Sequence, residues 1–124
     1  MWLAGKNVLK YLKGTASHGI RFGGRASYNT LAASPSHLVG YSDSDWAGQI
    51  DDRKSTSGII FYLNNGAISY ASKSQKCVAL STAESEYVAL GEAAREAIYL
   101  RMLLKDLGQT QSEPTVIYED NVAA

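Results

Sequence analysis

The chain has 124 residues, of which 45% are hydrophobic, and its twelve basic and twelve acidic residues give a net charge of zero. This length and composition suit one soluble domain with an ordinary core, or a piece of one, and exclude a chain that is disordered throughout. The single cysteine excludes an internal disulfide, and the lack of a signal peptide and of any apolar run of about 18 residues argues against secretion and membrane insertion.

The N-terminal section is basic and predicts one helix followed by a loop. Residues 2 to 13 place apolar side chains at helical spacing beside a lysine face, and Gly14 is suited to end the helix. Residues 14 to 36 are rich in small and polar side chains, which indicates a loop with one short strand around Ile20 to Phe22. Five basic residues and no acid precede Asp43, whereas seven basic and twelve acidic residues follow from there. We therefore divide the chain into two units, 1–36 and 37–124.

A period-two pattern begins at residue 37 and predicts three antiparallel strands in a meander. The first strand runs from 37 to 45. The other two are the β-branched and aromatic runs 58–63 and 67–71. Between them lies an Asn-Gly pair at 65–66, which is a strong signal for a hairpin.

A long helix and a fourth strand complete the predicted elements. The helix spans about 82–107 and stops at Gly108, and the strand spans Thr115 to Glu119. Before the helix, Cys77 has apolar neighbours, so we expect a small buried side chain there. The elements together predict a mixed α/β domain in the order helix, three strands, helix, strand.

Two glutamates, Glu84 and Glu86, open the long helix. Residues two apart lie about 200° apart around a helix, so the two cannot share a face. Glu84 follows Ser81 by three residues, the spacing of a capping box in which the glutamate carboxylate returns to the N–H of Ser81. Glu86 instead lies at the centre of an apolar stripe, formed by Leu90, Ala93, Ala97, Leu100, Leu104 and Leu107.

A core-facing Glu86 needs a compensating partner, because burying an unpaired carboxylate costs several kcal/mol. The residues leave two alternatives, a salt bridge in the core or a metal ion. Other acids favour the metal: Asp43 and Asp45 share a strand face, and Asp120 ends the fourth strand. These acids converge with Glu86 if the first and fourth strands are neighbours and the long helix packs across them.

Clustered carboxylates imply a hard divalent cation. Two carboxylates about 4 Å apart repel by roughly 4 kcal/mol at an effective dielectric constant near 20. Oxygen ligands without histidine or cysteine suit Mg²⁺ or Mn²⁺ better than Zn²⁺. Two such ions held by carboxylates are a recurrent arrangement for hydrolysing phosphodiesters.

Several stretches of the sequence resemble one known family. GYSDSDWAG (40–48), DRKSTSGIIFYL (52–63), ISYASKSQKCVALSTAESEYVAL (68–90) and YEDNVAA (118–124) closely resemble the ribonuclease H domain of copia-type retrotransposon Pol polyproteins. KNVLKYLKGT (6–15) resembles the end of the preceding reverse-transcriptase segment. The resemblance spans nearly the whole chain in consistent order. It implies a ribonuclease H-like fold, with three antiparallel strands, a long helix and then a parallel fourth strand.

The resemblance also implies an activity and its site. Asp43, Glu86 and Asp120 match the family's metal-binding acids. Asp45 shares the strand face and stays a lesser candidate, since the family's ligand corresponds to the earlier aspartate. The implied reaction is cleavage of the RNA strand of an RNA–DNA hybrid with two Mg²⁺ or Mn²⁺ ions, beside the reverse transcriptase of the same polyprotein. The implied location is a cytoplasmic virus-like particle or the nucleus. Four basic residues are candidates for contacts with the hybrid backbone: Arg53, Lys54, Lys73 and Lys76.

One departure from the family leaves a second reading open. Family members continue after the fourth strand with further helices, a fifth strand and a fourth acid, so we expect a C-terminally incomplete domain. The alternative to an enzyme is therefore a non-catalytic remnant that persists as a fold fragment or associates through its sheet edge. A serine or cysteine hydrolase is disfavoured, since there is no G-x-S-x-G motif and no histidine near Cys77.

Overall fold

The computed structural model describes residues 2–23, 37–48 and 53–120. Its elements are α1 (Trp2–Gly14), β1 (Val39–Asp45), β2 (Thr56–Leu63), β3 (Gly66–Ser74), α2 (Thr82–Asp106) and β4 (Val116–Tyr118). The predicted order of elements and the mixed α/β class are confirmed. Neither of the helices in these ranges is long and apolar enough to span a bilayer.

The four strands form one mixed sheet in the order β3-β2-β1-β4. β1 pairs antiparallel with β2, and β2 pairs antiparallel with β3, which confirms the predicted meander. β4 pairs with β1 in parallel, with Val39 opposite Val116 and Tyr41 opposite Tyr118. β1 is therefore a central strand, and α2 crosses the sheet over β1 and β2.

The hairpin between β2 and β3 turns one residue earlier than its Asn-Gly pair suggested. Asn64 and Asn65 form the two-residue loop, with φ angles of 51° and 64°. A loop of this kind requires positive φ at both central residues, and asparagine tolerates that region better than most side chains. Gly66 is the first residue of β3 and pairs with Leu63. The ring of Phe22 lies where a Cβ at Gly66 would be.

The apolar core lies between α2 and the sheet. Leu38 and Phe61 from the sheet side pack against one stripe of the helix, formed by Ala93, Ala97, Leu100 and Leu104. Leu90 is only half-buried and Leu107 is exposed, so the predicted stripe was one residue too long at its C-terminal end. At Leu107 the reason is that α2 ends at Asp106, which places Leu107 in the cap.

One close approach shapes this core. Gly40 of β1 pairs with Phe61 of β2, and a Cβ added at Gly40 would lie 2.5 Å from Cε1 of the Phe61 ring. The ring therefore occupies the space that any other residue at position 40 would need. Phe61 is fully buried between this glycine and the helix.

The N-terminal section touches the sheet only near its end, among the described residues. α1 has no buried residue, and its apolar side chains are exposed, with Trp2 at 78%. Gly23 donates its N–H to the carbonyl oxygen of Asn64 at 2.9 Å. The strand predicted at Ile20 to Phe22 is wrong, because these residues pair with no strand there. The boundary drawn at residues 36 and 37 adjoins residues outside the described ranges and stays a prediction.

The connection from β3 to α2 exposes its cysteine. Gln75 and Ala79 are buried, while the intervening Lys76, Cys77 and Val78 lie on the surface. The prediction of a buried Cys77 is therefore wrong. The prediction relied on the apolar residues next to Cys77 in the sequence. The segment is neither helix nor strand, so adjacent residues in it do not share one environment.

Candidate metal centre

Asp43 is presented by the central strand β1. Its neighbours Ser42 and Ser44 are buried, whereas Asp43 and Asp45 are exposed. This alternation confirms the predicted strand face, because successive side chains of a strand point to opposite sides of the sheet. Asp43 pairs with Gly58 of β2, which has no side chain to cover it.

Glu86 is presented by the start of α2 and is buried, with 3% of its surface exposed. Ser81 caps the helix, and its hydroxyl accepts the N–H of Glu84 at 3.1 Å. The Glu84 carboxylate accepts the N–H of Leu80 at 2.6 Å, one residue before the Ser81 N–H that the sequence predicted. Glu84 therefore belongs to the cap, while Glu86 faces the sheet.

Asp120 follows β4, and the parallel pairing of β4 with β1 brings the carboxyl ends of both strands to one edge of the sheet. The loop that leads to β4 is held against α2 by Arg101. Its guanidinium donates to the carbonyl oxygens of Gln111 and Glu113 at 2.7 Å, and to Oγ1 of Thr115 at 2.9 Å. This clamp fixes where β4 begins and hence where Asp120 lies.

The structure brings the three predicted acids together. One carboxylate oxygen each from Asp43, Glu86 and Asp120 lie within 4.8 Å of one another. Asp45 is not in this group: its carboxylate packs against Gly48, where an added Cβ would collide with it. Three oxygens from three separate elements at this spacing can share one hard cation. That they bind a metal stays a prediction.

The environment of Glu86 opposes its ionisation. Burial is the main cause that raises the pKa of Glu86 above its usual 4.5. Interaction with the nearby Ser44 side chain lowers the pKa of Glu86, whereas the negative charges of Asp43, Glu119 and Asp120 raise it further. A cation among these carboxylates would reverse the balance, because an opposite charge favours the ionised form.

The alternative of a core salt bridge finds no support in the structure. Among residues 2–23, 37–48 and 53–120, no cationic side chain forms an ion pair with Glu86. Its Oε2 atom is buried and has no hydrogen-bond partner there. A buried carboxylate oxygen without a hydrogen-bond partner is energetically costly. Such an oxygen is expected where the carboxylate binds a metal ion, because the metal is then its partner.

A group of buried polar residues beside Glu86 was missed from the sequence. The Ser44 hydroxyl donates to Oγ of Ser85 at 2.7 Å, and the Ser85 hydroxyl donates to the Thr82 carbonyl at 2.7 Å. Gln75 donates to the carbonyl oxygen of Ser85 at 2.8 Å. The period-two pattern gave one usable signal, since it put Ser44 on the strand face opposite the acids. For Gln75, which lies outside every periodic element, the sequence gave none.

The basic candidates are surface residues. Arg53, Lys73 and Lys76 are exposed, and Lys54 is half-buried. Their predicted contact with nucleic acid stays a prediction. Neither histidine of the chain, His18 or His37, belongs to the carboxylate group.

The chain has relatives of known identity that are similar to it in sequence. No family model matches the chain, and no solved structure matches it. It is 46% identical over 123 residues to the Retrovirus-related Pol polyprotein from transposon TNT 1-94 of Nicotiana tabacum, covering 99% of this chain. It is also 46% identical over 123 residues to the Retrovirus-related Pol polyprotein from transposon RE2 of Arabidopsis thaliana. The chain is homologous to a segment of transposon Pol polyproteins.

That segment is a small part of these relatives. The chain spans 8% of the length of each of the two Pol polyproteins. A further relative is the Secreted RxLR effector protein 161 of Plasmopara viticola, 48% identical over 99 residues, which cover 80% of this chain and 64% of that protein.

Proposed function

We propose that this chain is the ribonuclease H segment of a retrotransposon Pol polyprotein and hydrolyses the RNA strand of RNA–DNA hybrids. Its partners in this role are the hybrid and the reverse-transcriptase domain of the same polyprotein. It would act in a cytoplasmic virus-like particle or in the nucleus. The mixed sheet, with its meander and parallel β4, is compatible with a ribonuclease H-like fold.

The observation that carries this proposal is the meeting of Asp43, Glu86 and Asp120 within 4.8 Å. The residues fit a divalent cation in two respects. All donors are carboxylate oxygens, which Mg²⁺ and Mn²⁺ prefer. In addition, the buried Oε2 of Glu86 has no hydrogen-bond partner among the described residues.

The three acids would have different roles in the site because they differ in exposure. Glu86 is buried and anchored in α2, so it holds the inner side of the site, while Asp43 and Asp120 are exposed and leave the outer side open to a phosphodiester. Bound magnesium or manganese would supply activation of the attacking water and stabilisation of the leaving oxygen. Selection of the RNA strand would rest on its 2′-hydroxyl groups and on the groove shape of the hybrid.

The direct test is cleavage of an end-labelled RNA–DNA hybrid by the purified chain in Mg²⁺ or Mn²⁺. We expect cleavage of the RNA strand alone, with double-stranded DNA left intact. Asp43→Asn and Glu86→Gln should each lower the rate about a hundredfold or more, because each removes a carboxylate from a metal site worth several kcal/mol.

Two neighbouring acids provide matched controls. Asp45→Asn changes the next carboxylate on the same strand face, and Glu84→Gln changes the exposed glutamate two residues earlier on the same helix. Both should leave the rate within about twofold of wild type, since neither residue lies in the carboxylate group. Cleavage that survives Glu86→Gln unchanged would refute the proposed mechanism.

A second candidate is association without catalysis. On the sheet face opposite α2, Tyr70 is 82% exposed and Tyr118 is 38% exposed, and β4 is an edge strand of the described sheet. Exposed apolar surface and open strand edges favour association. Sedimentation analysis and a Mn²⁺ titration together distinguish the two candidates. A chain that sediments as a dimer and binds no Mn²⁺ at millimolar concentration would favour association without catalysis.

A further inference from the structure

Gln75 is a buried side chain that joins three segments next to Glu86. It follows β3 directly and has 2% of its surface exposed. Its amide nitrogen donates to Oγ of Ser57 in β2 at 3.0 Å and to the carbonyl oxygen of Ser85 in α2 at 2.8 Å. Its backbone N–H donates to the carbonyl oxygen of Ser55 at 2.8 Å. Both side-chain amide hydrogens are thereby used.

The Ser85 carbonyl that Gln75 holds belongs to the peptide group joining Ser85 to Glu86. Because a peptide group is planar, fixing its oxygen fixes the direction in which the chain enters Glu86. The Ser85 hydroxyl is fixed as well, since it contacts Oγ of Ser44 in β1 at 2.7 Å. The residue before Glu86 is thus tied to β1 by its side chain and to β2 by way of Gln75.

Stability alone does not explain an amide at this position. Oε1 of Gln75 is buried and has no hydrogen-bond partner among the described residues. An unsatisfied buried acceptor costs about 1–3 kcal/mol, which offsets much of what two hydrogen bonds contribute. An apolar side chain of similar volume would avoid this cost, but it could not hold the Ser85 carbonyl.

We propose that Gln75 is a positioning residue that, through Ser85, holds the Glu86 carboxylate in place for binding a divalent cation together with Asp43 and Asp120. This inference rests on the proposed function, because it requires that the three acids bind such a cation. Residues that orient metal ligands typically change metal affinity or activity about 10- to 100-fold when they are substituted.

The test is a Mn²⁺ titration of the full chain, with free Mn²⁺ followed by electron paramagnetic resonance. Gln75→Met keeps the volume and removes both donors, and we expect it to weaken Mn²⁺ binding about tenfold or more. The titration is done at a temperature where circular dichroism shows wild type and variant equally folded. Ser57→Ala serves as a milder second variant, since it removes one acceptor and keeps the amide; we expect a smaller loss in the same direction.

Ser69→Ala is the matched control. The Ser69 hydroxyl donates to Oε1 of Glu96 at 2.6 Å, so it also links the sheet to α2, but farther along the helix. Its loss should leave Mn²⁺ affinity unchanged, which separates positioning from general loss of packing.

The outcomes distinguish the failure of one proposal from the failure of the other. Wild-type binding that Asp43→Asn abolishes and Gln75→Met weakens supports both. Unchanged binding in a folded Gln75→Met, or in a folded Ser57→Ala should Gln75→Met not fold, overturns the role of Gln75 and leaves the proposed function standing. Wild-type affinity no higher than that of Asp43→Asn overturns the proposed function and the role of Gln75 with it.

Discussion

The two ends of α2 bury opposite chemistry against the same sheet. Its later turns place alanine and leucine against Leu38 and Phe61. Its first turns place Ser85 and Glu86 among polar partners that are themselves buried: Ser44, Ser57 and Gln75. One helix therefore carries an apolar end suited to stability and a polar end suited to orienting a carboxylate.

The two ends differ in what burial does to the free energy of unfolding. Full burial of a large apolar side chain contributes about 1.5–3 kcal/mol. A buried polar group contributes little net stability even when it is paired, and it is costly when it is not. Since Glu86 and Gln75 each keep one unpaired buried oxygen among the described residues, we infer that the apolar end stabilises the structure that the polar end needs.

Phe61→Ala should produce the largest change and should act on stability. Phe61 is fully buried in the core, and truncating a buried phenylalanine typically costs about 3–5 kcal/mol. Urea unfolding would measure this loss, while Mn²⁺ affinity below the transition should stay that of wild type. Tyr70→Ala is the control, because it removes an aromatic ring that is 82% exposed and should change stability by less than about 0.5 kcal/mol. A loss below about 1 kcal/mol in Phe61→Ala would contradict the assignment of stability to this end.

Gly40→Ala should perturb the same contact from the other strand. Its Cβ would lie 2.5 Å from the Phe61 ring, so the ring or the strand must shift, and overpacking of this kind costs about 1–3 kcal/mol. Gly91→Ala is the matched control, since a Cβ on this exposed helical glycine meets nothing within 4 Å and should stabilise the helix by up to about 1 kcal/mol. Equal thermal midpoints for the two variants would show that Phe61 is not confined by Gly40.

The periodic parts of the sequence were the predictable ones. Alternation in β1 placed Asp43 on the correct face, and helical spacing chose Glu86 over Glu84 as the buried glutamate. Both inferences depend only on where a side chain points relative to its neighbours in the same element. The parallel placement of β4, which brings Asp120 to the other two acids, came from the family resemblance.

The features that could not be predicted lie in segments without a helical or strand periodicity. Gln75 and Cys77 both lie in the connection between β3 and α2, where burial depends on how the segment crosses the sheet rather than on spacing. The hairpin was placed one residue late because Asn64-Asn65 and Asn65-Gly66 both suit positive φ, and only the pairing of Gly66 with Leu63 decides between them.

Glu86→Gln should have the smallest effect on stability, and the opposite sign. Burial raises the pKa of Glu86, so the folded chain keeps a proton on this carboxyl at pH values where the unfolded chain has lost it. Stability must then fall as pH rises from about 4.5 through the raised pKa, because over that range the folded state still binds a proton that the unfolded state has released. Glutamine cannot ionise, so in metal-free buffer at pH 8 the variant should be more stable than wild type, with little difference at pH 4.

Thermal unfolding at a series of pH values, with and without Mg²⁺, checks both parts of this expectation. In Mg²⁺ the wild type should gain stability at pH 8, because a ligand that binds only the folded state stabilises it, whereas Glu86→Gln should gain much less. The variant would then be the more stable protein without the cation and would lose that advantage with it. If Glu86→Gln instead lowered stability at pH 8 without Mg²⁺, the Glu86 carboxylate would stabilise the fold. That result would contradict the inference that only the apolar end of α2 stabilises the structure.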